Sequence, residues 1–150
     1  MKRRASKKKT YTVDEANAML PLLRSILRDV VALANELRER YERLSRLQNS
    51  EGMDLAHQEE VQQLVDEFER GQEKMREYER ELEKLGVELK DYYTGLIDFR
   101  HLRDGREVYL CWKLGEPEVA HWHELNAGFS GRRELESSQV GSVASRTDDL

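Results

Sequence analysis

The chain of 150 residues has a single cysteine and no long apolar run, and both scarcities exclude classes of protein. One cysteine excludes a disulfide framework, a multi-cysteine zinc ribbon and an iron–sulfur site, and it fits a reducing cytoplasm. No apolar stretch approaches the roughly 20 residues that cross a bilayer, and none follows the basic N-terminus as in a signal peptide. We therefore expect a soluble cytoplasmic protein that has no membrane contact.

Charge is distributed unevenly along the chain, whose formal net charge is −5. Six basic residues lie within the first nine positions, so the remainder is strongly acidic, which argues against nucleic acid binding by the folded part. A basic arm at 1–10 and a Ser-rich tail at 135–150 have little to bury, and we expect both to be disordered around one domain at 11–134. Nucleic acid could then bind only through residues 1–9, where a solvated arm is the simpler interpretation.

Two apolar seams with alternating spacings of three and four residues predict a pair of long helices. The first seam consists of Leu20, Leu23, Leu27, Val30, Ala34, Leu37, Tyr41 and Leu44. The second consists of Val61, Leu64, Phe68, Gly71, Met75, Tyr78, Leu82 and Leu85. Folded back at a loop around Gly52, the seams pair in one antiparallel register that places Ala34 opposite Gly71.

Short motifs mark the ends of these helices. Thr12 and Glu15 form a capping box that begins the first helix, and Pro21 should bend or restart that helix. Asp54 can cap the second helix, and Gly86 can end it in the left-handed conformation.

After the second helix the apolar residues alternate, which predicts β-strands. Strands over Leu96–His101 and Glu107–Lys113 flank Asp104-Gly105, a dipeptide that favours a tight type I′ turn. A third strand is predicted over Val119–Leu125. The predicted fold is therefore α+β: a long antiparallel two-helix coiled-coil hairpin with a small three-stranded antiparallel β-meander at its base.

The third strand carries the pair of side chains most typical of a metal site, His121 and His123. Alternate residues on a strand share a face, so the two imidazoles could hold one zinc ion or another divalent transition metal. Pairing Leu114 with Val119 would put both histidines on the apolar face. We favour this register because it keeps Val119 and Leu125 with the other apolar residues, and packed histidines are then the simpler interpretation.

A slip of one residue in that register would change the neighbours of both histidines. His121 would then face Cys111, His123 would face Tyr109, and Asp98 would lie in the same row on the far strand. The slip converts two packed histidines into a cluster of cysteine, histidine and aspartate.

Residues 95–132 also hold polar side chains that could form a small-ligand or catalytic site beside two tryptophans. These are Asp98, Arg106, Glu107, Cys111, Glu124 and Arg132. An enzyme is nevertheless the less expected outcome, since no nucleophile has a base at a recognisable spacing. Cys111 lies inside a strand, without a helix N-terminus to lower its pKa.

The function expected first is a non-enzymatic interaction or scaffold protein. A two-helix seam does not use the apolar row Met19, Leu22, Ile26 and Leu33. This row could dock against a second copy, giving a homodimer, or against a partner helix.

Several short motifs in one order resemble a known family. They are Gly95-Leu96-Ile97-Asp98-Phe99, Asp104-Gly105-Arg106-Glu107-Val108-Tyr109-Leu110-Cys111-Trp112-Lys113, Gly115-Glu116, Trp122-His123-Glu124-Leu125 and Gly128-Phe129-Ser130-Gly131-Arg132, preceded by Glu15-Ala16-Asn17 and Leu20-Pro21. Over residues 11–134 the chain resembles the prokaryotic family labelled domain of unknown function 2203. The resemblance implies a small bacterial cytoplasmic protein that has no assigned activity.

Overall fold

A computed structural model describes residues 9–49 and 54–136 of the chain. The predicted loop at Gly52 and most of the predicted arm and tail lie outside these ranges. Within them, no helix combines the length and the apolar character that crossing a membrane requires.

In the described residues up to Leu85 there are three helices: α1 over Val13–Ala18, α2 over Leu20–Gln48 and α3 over Leu55–Leu85. The capping box is confirmed, because the Thr12 hydroxyl accepts from the Glu15 N–H and the Glu15 carboxylate accepts from the Thr12 N–H. The interruption at Pro21 is confirmed as well. The helix breaks at Met19, and Pro21 stands in the first turn of α2, where its missing N–H leaves no helical bond unmade.

The predicted ends of α3 are also confirmed. The Asp54 carboxylate accepts from the His57 N–H at 2.8 Å, and Gly86 ends the helix with a φ of 78°. A β-carbon on any other residue would strain this left-handed conformation, so glycine suits the position.

Helices α2 and α3 form the predicted antiparallel hairpin. Near its loop, His57 Nε2 donates to the Leu47 carbonyl oxygen at 3.0 Å, and Arg43 pairs with Glu60 at 2.9 Å. Both contacts run from the end of α2 to the beginning of α3, as antiparallel packing requires.

The middle of the hairpin differs from the predicted register by about one helical turn. A β-carbon added to Gly71 would lie 2.5 Å from Leu37 Cδ2, so Leu37 rather than Ala34 faces Gly71. The Tyr41 ring lies 6.1 Å from the Phe68 ring, whereas the predicted register paired Tyr41 with Leu64. Side chains on a helix lean toward its N-terminus, so spacing along each seam does not by itself fix which side chains meet.

The strands form one antiparallel sheet in sequential order: β1 over Val87–Asp91, β2 over Leu96–Arg103, β3 over Arg106–Lys113, β4 over His121–His123 and β5 over Arg133–Glu134. The α+β class is confirmed, but the part of the chain that the structure describes contributes five strands to the sheet where three were predicted. The sequence interpretation missed β1, which begins directly after the cap of α3, and β5, which has only two residues.

The turn between β2 and β3 agrees with the prediction. Asp104 and Gly105 have φ values of 54° and 78°, as the two central residues of a type I′ turn require. The strands pair symmetrically about this turn, which sets Ile97 opposite Trp112 and Asp98 opposite Cys111.

The register favoured for the third predicted strand is wrong, and the alternative that slips by one residue is the one observed. His121 pairs with Cys111, and His123 pairs with Tyr109. The regular strand contains only three residues, and this register turns Trp122 into the core, which buries more apolar surface than a histidine would.

Val119 and Leu125, on which the favoured register rested, do not belong to β4. Val119 is buried before the strand begins, and its N–H donates to Asn17 Oδ1 at 2.7 Å. Leu125 follows the strand and is exposed. Neither residue therefore constrains which face the histidines occupy.

The apolar face of the sheet packs on α2. The Arg24 guanidinium lies 5.7 Å from the Trp112 ring and donates to the Pro117 carbonyl oxygen. Of the apolar row that seemed surplus to the hairpin, three residues are partly buried against the core and only Leu22 is exposed. The core therefore uses most of the row that suggested a homodimer.

Candidate metal centre

The sheet face that points away from the helices carries one continuous row of polar side chains. Cross-strand pairing joins Glu88 to Asp98, Asp98 to Cys111, Cys111 to His121 and His121 to Glu134. Side chains directly opposite each other in an antiparallel sheet have β-carbons about 5 Å apart. The row therefore brings ligand-type groups from five strands side by side.

Two side chains of this row, Asp98 and Cys111, converge in the interior with His123, which lies two positions after His121 on β4. Their exposed fractions are 2%, 0% and 2%, and one ligand atom from each lies within 4.8 Å of the other two. Among residues 9–49 and 54–136, this is the only group of three or more histidine, cysteine or acidic residues with that geometry.

The segment that follows β4 places the Arg132 guanidinium beside the cluster. After the turn at Phe129–Gly131, Arg132 Nη2 donates to the Cys111 carbonyl oxygen at 3.2 Å. The same guanidinium donates two parallel hydrogen bonds of 2.7 and 2.8 Å to the Glu116 carboxylate. Both side chains are largely buried, so this pair is a fixed part of the site's surroundings.

Both ring nitrogens of His123 face oxygen atoms, so each of the two contacts needs a proton to form a hydrogen bond. Nδ1 lies 2.8 Å from the Glu124 carbonyl oxygen, which can only accept, so Nδ1 carries a proton. Nε2 lies 3.1 Å from both carboxylate oxygens of Asp98. A hydrogen bond there requires one further proton, held either by the imidazolium or by the carboxyl group.

Burial disfavours the charged forms of the other titratable groups of the cluster. Burial raises the pKa of the Asp98 carboxyl, although His123 and a hydrogen bond from Cys111 oppose the shift. Burial, reinforced by the Asp98 charge, raises the pKa of the Cys111 thiol to about 12. Cys111 is therefore a thiol at neutral pH, and its nearest carboxylate disfavours the thiolate that a nucleophile needs.

A tyrosine closes the side of the cluster that faces β1. The Tyr109 ring lies 5.4 Å from the His123 ring, and its hydroxyl donates to the Glu88 carboxylate at 2.9 and 3.0 Å. The ring thus limits the movement of His123 while its polar end is satisfied by Glu88.

The structure brings together only part of the predicted site. Asp98, Cys111 and His123 meet, and Arg132 lies beside them. Glu124 contributes its backbone carbonyl oxygen, while its side chain pairs with Arg106 near the surface. The remaining candidate, Glu107, pairs with Arg100 at 2.6 Å and does not reach the cluster. His121 lies in the same row, but it is not one of the three groups within 4.8 Å.

Three residues that support the cluster were not among the candidate site residues predicted from sequence: Glu88, Tyr109 and Glu116. Tyr109 was visible as the neighbour of His123 in the slipped register. Glu88 belongs to the unpredicted strand β1, and Glu116 stands in a turn, where nothing in the local sequence indicates that it meets Arg132.

A thiolate, an imidazole and a carboxylate are the ligand types that zinc and similar transition metals prefer. The cluster is not arranged like the active site of a cysteine enzyme, because the group beside the Cys111 thiol is Asp98, which is also hydrogen-bonded to His123. The chemistry that fits these three groups best is coordination of a metal ion.

Comparison with known proteins identifies a family but no activity. A family model described as "Uncharacterized conserved protein (DUF2203)" matches residues 9–135, which is most of the chain. No curated protein and no solved structure matches.

Proposed function

We propose a metal-binding function for this chain, which belongs to the DUF2203 family of uncharacterised conserved proteins. In this proposal Asp98, Cys111 and His123 bind one zinc ion in the cytoplasm, where reducing conditions preserve a lone thiol. The observation that carries the proposal is the convergence of three different ligand types from β2, β3 and β4 in the buried cluster.

The spacing of the ligand atoms suits a small transition-metal ion. Zinc binds nitrogen and oxygen at about 2.0–2.2 Å and sulfur at about 2.3 Å, so ligand atoms in a tetrahedral site are separated by roughly 3–4 Å. His123 Nε2 and the Asp98 oxygens already lie 3.1 Å apart. Calcium and magnesium prefer shells of oxygen atoms, which a thiol and an imidazole do not provide.

Charge balance also supports zinc in this buried position. Whichever partner holds the shared proton, Asp98, His123 and the Cys111 thiol together are neutral. When zinc replaces that proton and the thiol proton, the two positive charges of the ion meet a carboxylate and a thiolate, and the cluster is neutral again. The exchange therefore leaves no net charge in the interior, where an unbalanced charge is costly.

The orientation of His123 is the one that a metal ligand requires. Ligating histidines usually donate their second ring N–H to a carbonyl or carboxylate, which fixes the tautomer and aims the other nitrogen at the metal. His123 Nδ1 donates in this way to the Glu124 carbonyl oxygen, so Nε2 points to Asp98 and the proposed ion.

The proposal is tested by elemental analysis of purified protein and by zinc affinity measured in competition with a chelator. We expect one zinc per chain, with affinity reduced at least about 100-fold in Cys111→Ser, because a neutral hydroxyl replaces a thiolate ligand. His101→Gln is the matched control. His101 is also a buried sheet histidine that donates Nδ1 to a backbone carbonyl, that of Tyr11, but it lies on the opposite face. Equal affinity for the wild type and Cys111→Ser would refute the proposal.

A second candidate function is self-association through the outer half of the hairpin. Tyr41 and Leu55 are 60% and 69% exposed in this part of the molecule, although Tyr41 occupies a seam position. Sedimentation equilibrium of the wild type and of Tyr41→Glu tests this candidate. A concentration-dependent dimer that the substitution weakens supports it, and a monomeric wild type excludes it.

A further inference from the structure

His121 has a buried ring nitrogen without a hydrogen-bond partner in the described part of the chain. The residue itself is only half-buried, but Nδ1 is shielded from solvent. A buried nitrogen that makes no hydrogen bond is unfavourable, and native structures usually provide it with a protein group, a water molecule or an ion.

The position of His121 in the sheet places this nitrogen next to the proposed metal site. His121 pairs directly with Cys111, so the two β-carbons are about 5 Å apart. It also shares a strand face with His123, since the two residues are separated by one position. His121 is thus the nearest additional residue in the polar row that can donate a neutral nitrogen.

We propose that His121 is the fourth protein ligand of the zinc ion, which it binds through Nδ1. This inference rests on the function proposed above. Because His121 is not among the three groups that lie within 4.8 Å of one another, its ring turns toward Cys111 when the metal binds. This rotation also gives His121 Nδ1 a partner. Metal binding therefore completes the coordination shell and satisfies the buried nitrogen.

The surroundings of His121 are consistent with this role. Burial raises the pKa of Glu116, but the hydrogen bonds from Arg132 and from the Lys113 N–H, together with the charge of Arg132, outweigh it and lower the pKa. Glu116 is therefore an ionised carboxylate within electrostatic range of the imidazole.

A fourth protein ligand determines which metal ions the site prefers. Four ligands, two imidazoles, one carboxylate and one thiolate, close a tetrahedral shell and leave no position for a substrate. His121 then acts as a specificity residue that favours zinc and cobalt over metals that require six ligands. The site would stabilise the sheet rather than catalyse a reaction.

Nitrogen-15 NMR of histidine side chains in the full chain tests this inference, because metal binding shifts the resonance of the coordinated nitrogen. The spectra are recorded before and after one equivalent of zinc is added. We expect His123 Nε2 and His121 Nδ1 both to shift, while the nitrogens of His101 stay unchanged. In parallel, His121→Ala should weaken zinc at least about tenfold in chelator competition, and His101→Gln should not.

The outcomes separate this inference from the proposed function. A shift at both histidines, with weaker binding in His121→Ala, supports the fourth ligand. A shift at His123 alone, with unchanged affinity in His121→Ala, overturns it and leaves the three-ligand site standing. No shift at either residue overturns both proposals.

Discussion

His123 and Asp98 form a buried pair across two strand spacings, with Nε2 lying 3.1 Å from each carboxylate oxygen. Asp98 stands on β2 and His123 on β4, so β3 runs between them. The residue of β3 that lies opposite Asp98 is Cys111, whose small side chain leaves room for the long imidazole to reach across. The three groups therefore meet because a cysteine, and not a larger residue, occupies the middle strand.

Loss of the buried carboxylate should destabilise the fold strongly. In Asp98→Leu the buried Nε2 of His123 loses its hydrogen-bond partner in the interior, and we expect the free energy of unfolding to fall by about 1–3 kcal/mol. Asp98→Asn should recover much of this loss, because its amide can donate to the neutral ring. Urea denaturation in the presence of a chelator measures both, and equal stabilities for Asp98→Leu and the wild type would contradict the pairing.

Zinc affinity should rise steeply with pH. Binding displaces the thiol proton of Cys111, whose pKa is about 12. A released proton contributes a factor of ten per pH unit, so affinity should increase at least about tenfold between about pH 6 and about pH 7. Chelator competition corrected for the chelator's own protonation gives the slope, and a pH-independent affinity would exclude the thiol as a ligand.

The Arg132–Glu116 pair should contribute more to stability than a similar pair at the surface. Arg132→Lys cannot keep both parallel bonds to Glu116 and the bond to the Cys111 carbonyl oxygen, so we expect a loss of about 1–2 kcal/mol. Arg106→Lys is the matched control, because Arg106 is mostly exposed and forms one ion pair with Glu124. That substitution should cost less than about 0.5 kcal/mol. Equal effects of both changes in urea denaturation would refute the distinction.

The thiol of Cys111 should be chemically inert in the folded protein. It is fully buried and its pKa is raised to about 12, so little reactive thiolate forms. Alkylation followed by mass spectrometry should proceed at least about 100-fold more slowly in the native chain than in urea. Rapid alkylation of the native chain would instead indicate an accessible nucleophile and favour an enzymatic function.

Much of the fold could be predicted because local chemistry determines it. The capping box at Thr12, the left-handed Gly86 and the Asp104-Gly105 turn each require particular residue types, and all three were recognised. The predicted seam register was wrong in the middle of the hairpin, since the Leu37–Gly71 contact depends on how side chains lean along each helix, which the seam spacing does not specify.

The site depends on a one-residue choice of register that local sequence did not determine. The apolar residues Val119 and Leu125 favoured the wrong choice, because they were assigned to a strand that proved to contain only His121–His123. The size of Trp122 was the better signal, since the observed register is the one that buries this ring. The contact of Arg132 with Glu116 joins residues 16 positions apart in loops, where no periodicity operates.

X-ray absorption at the zinc edge of the wild-type protein tests the central claim most directly, because it counts sulfur ligands and measures their distance. The metal-site proposal predicts one sulfur at about 2.3 Å, with nitrogen and oxygen at about 2.0–2.2 Å. That sulfur signal should disappear in Cys111→Ser. A shell that contains only nitrogen and oxygen in the wild type would contradict the assignment of the buried cluster as a zinc site.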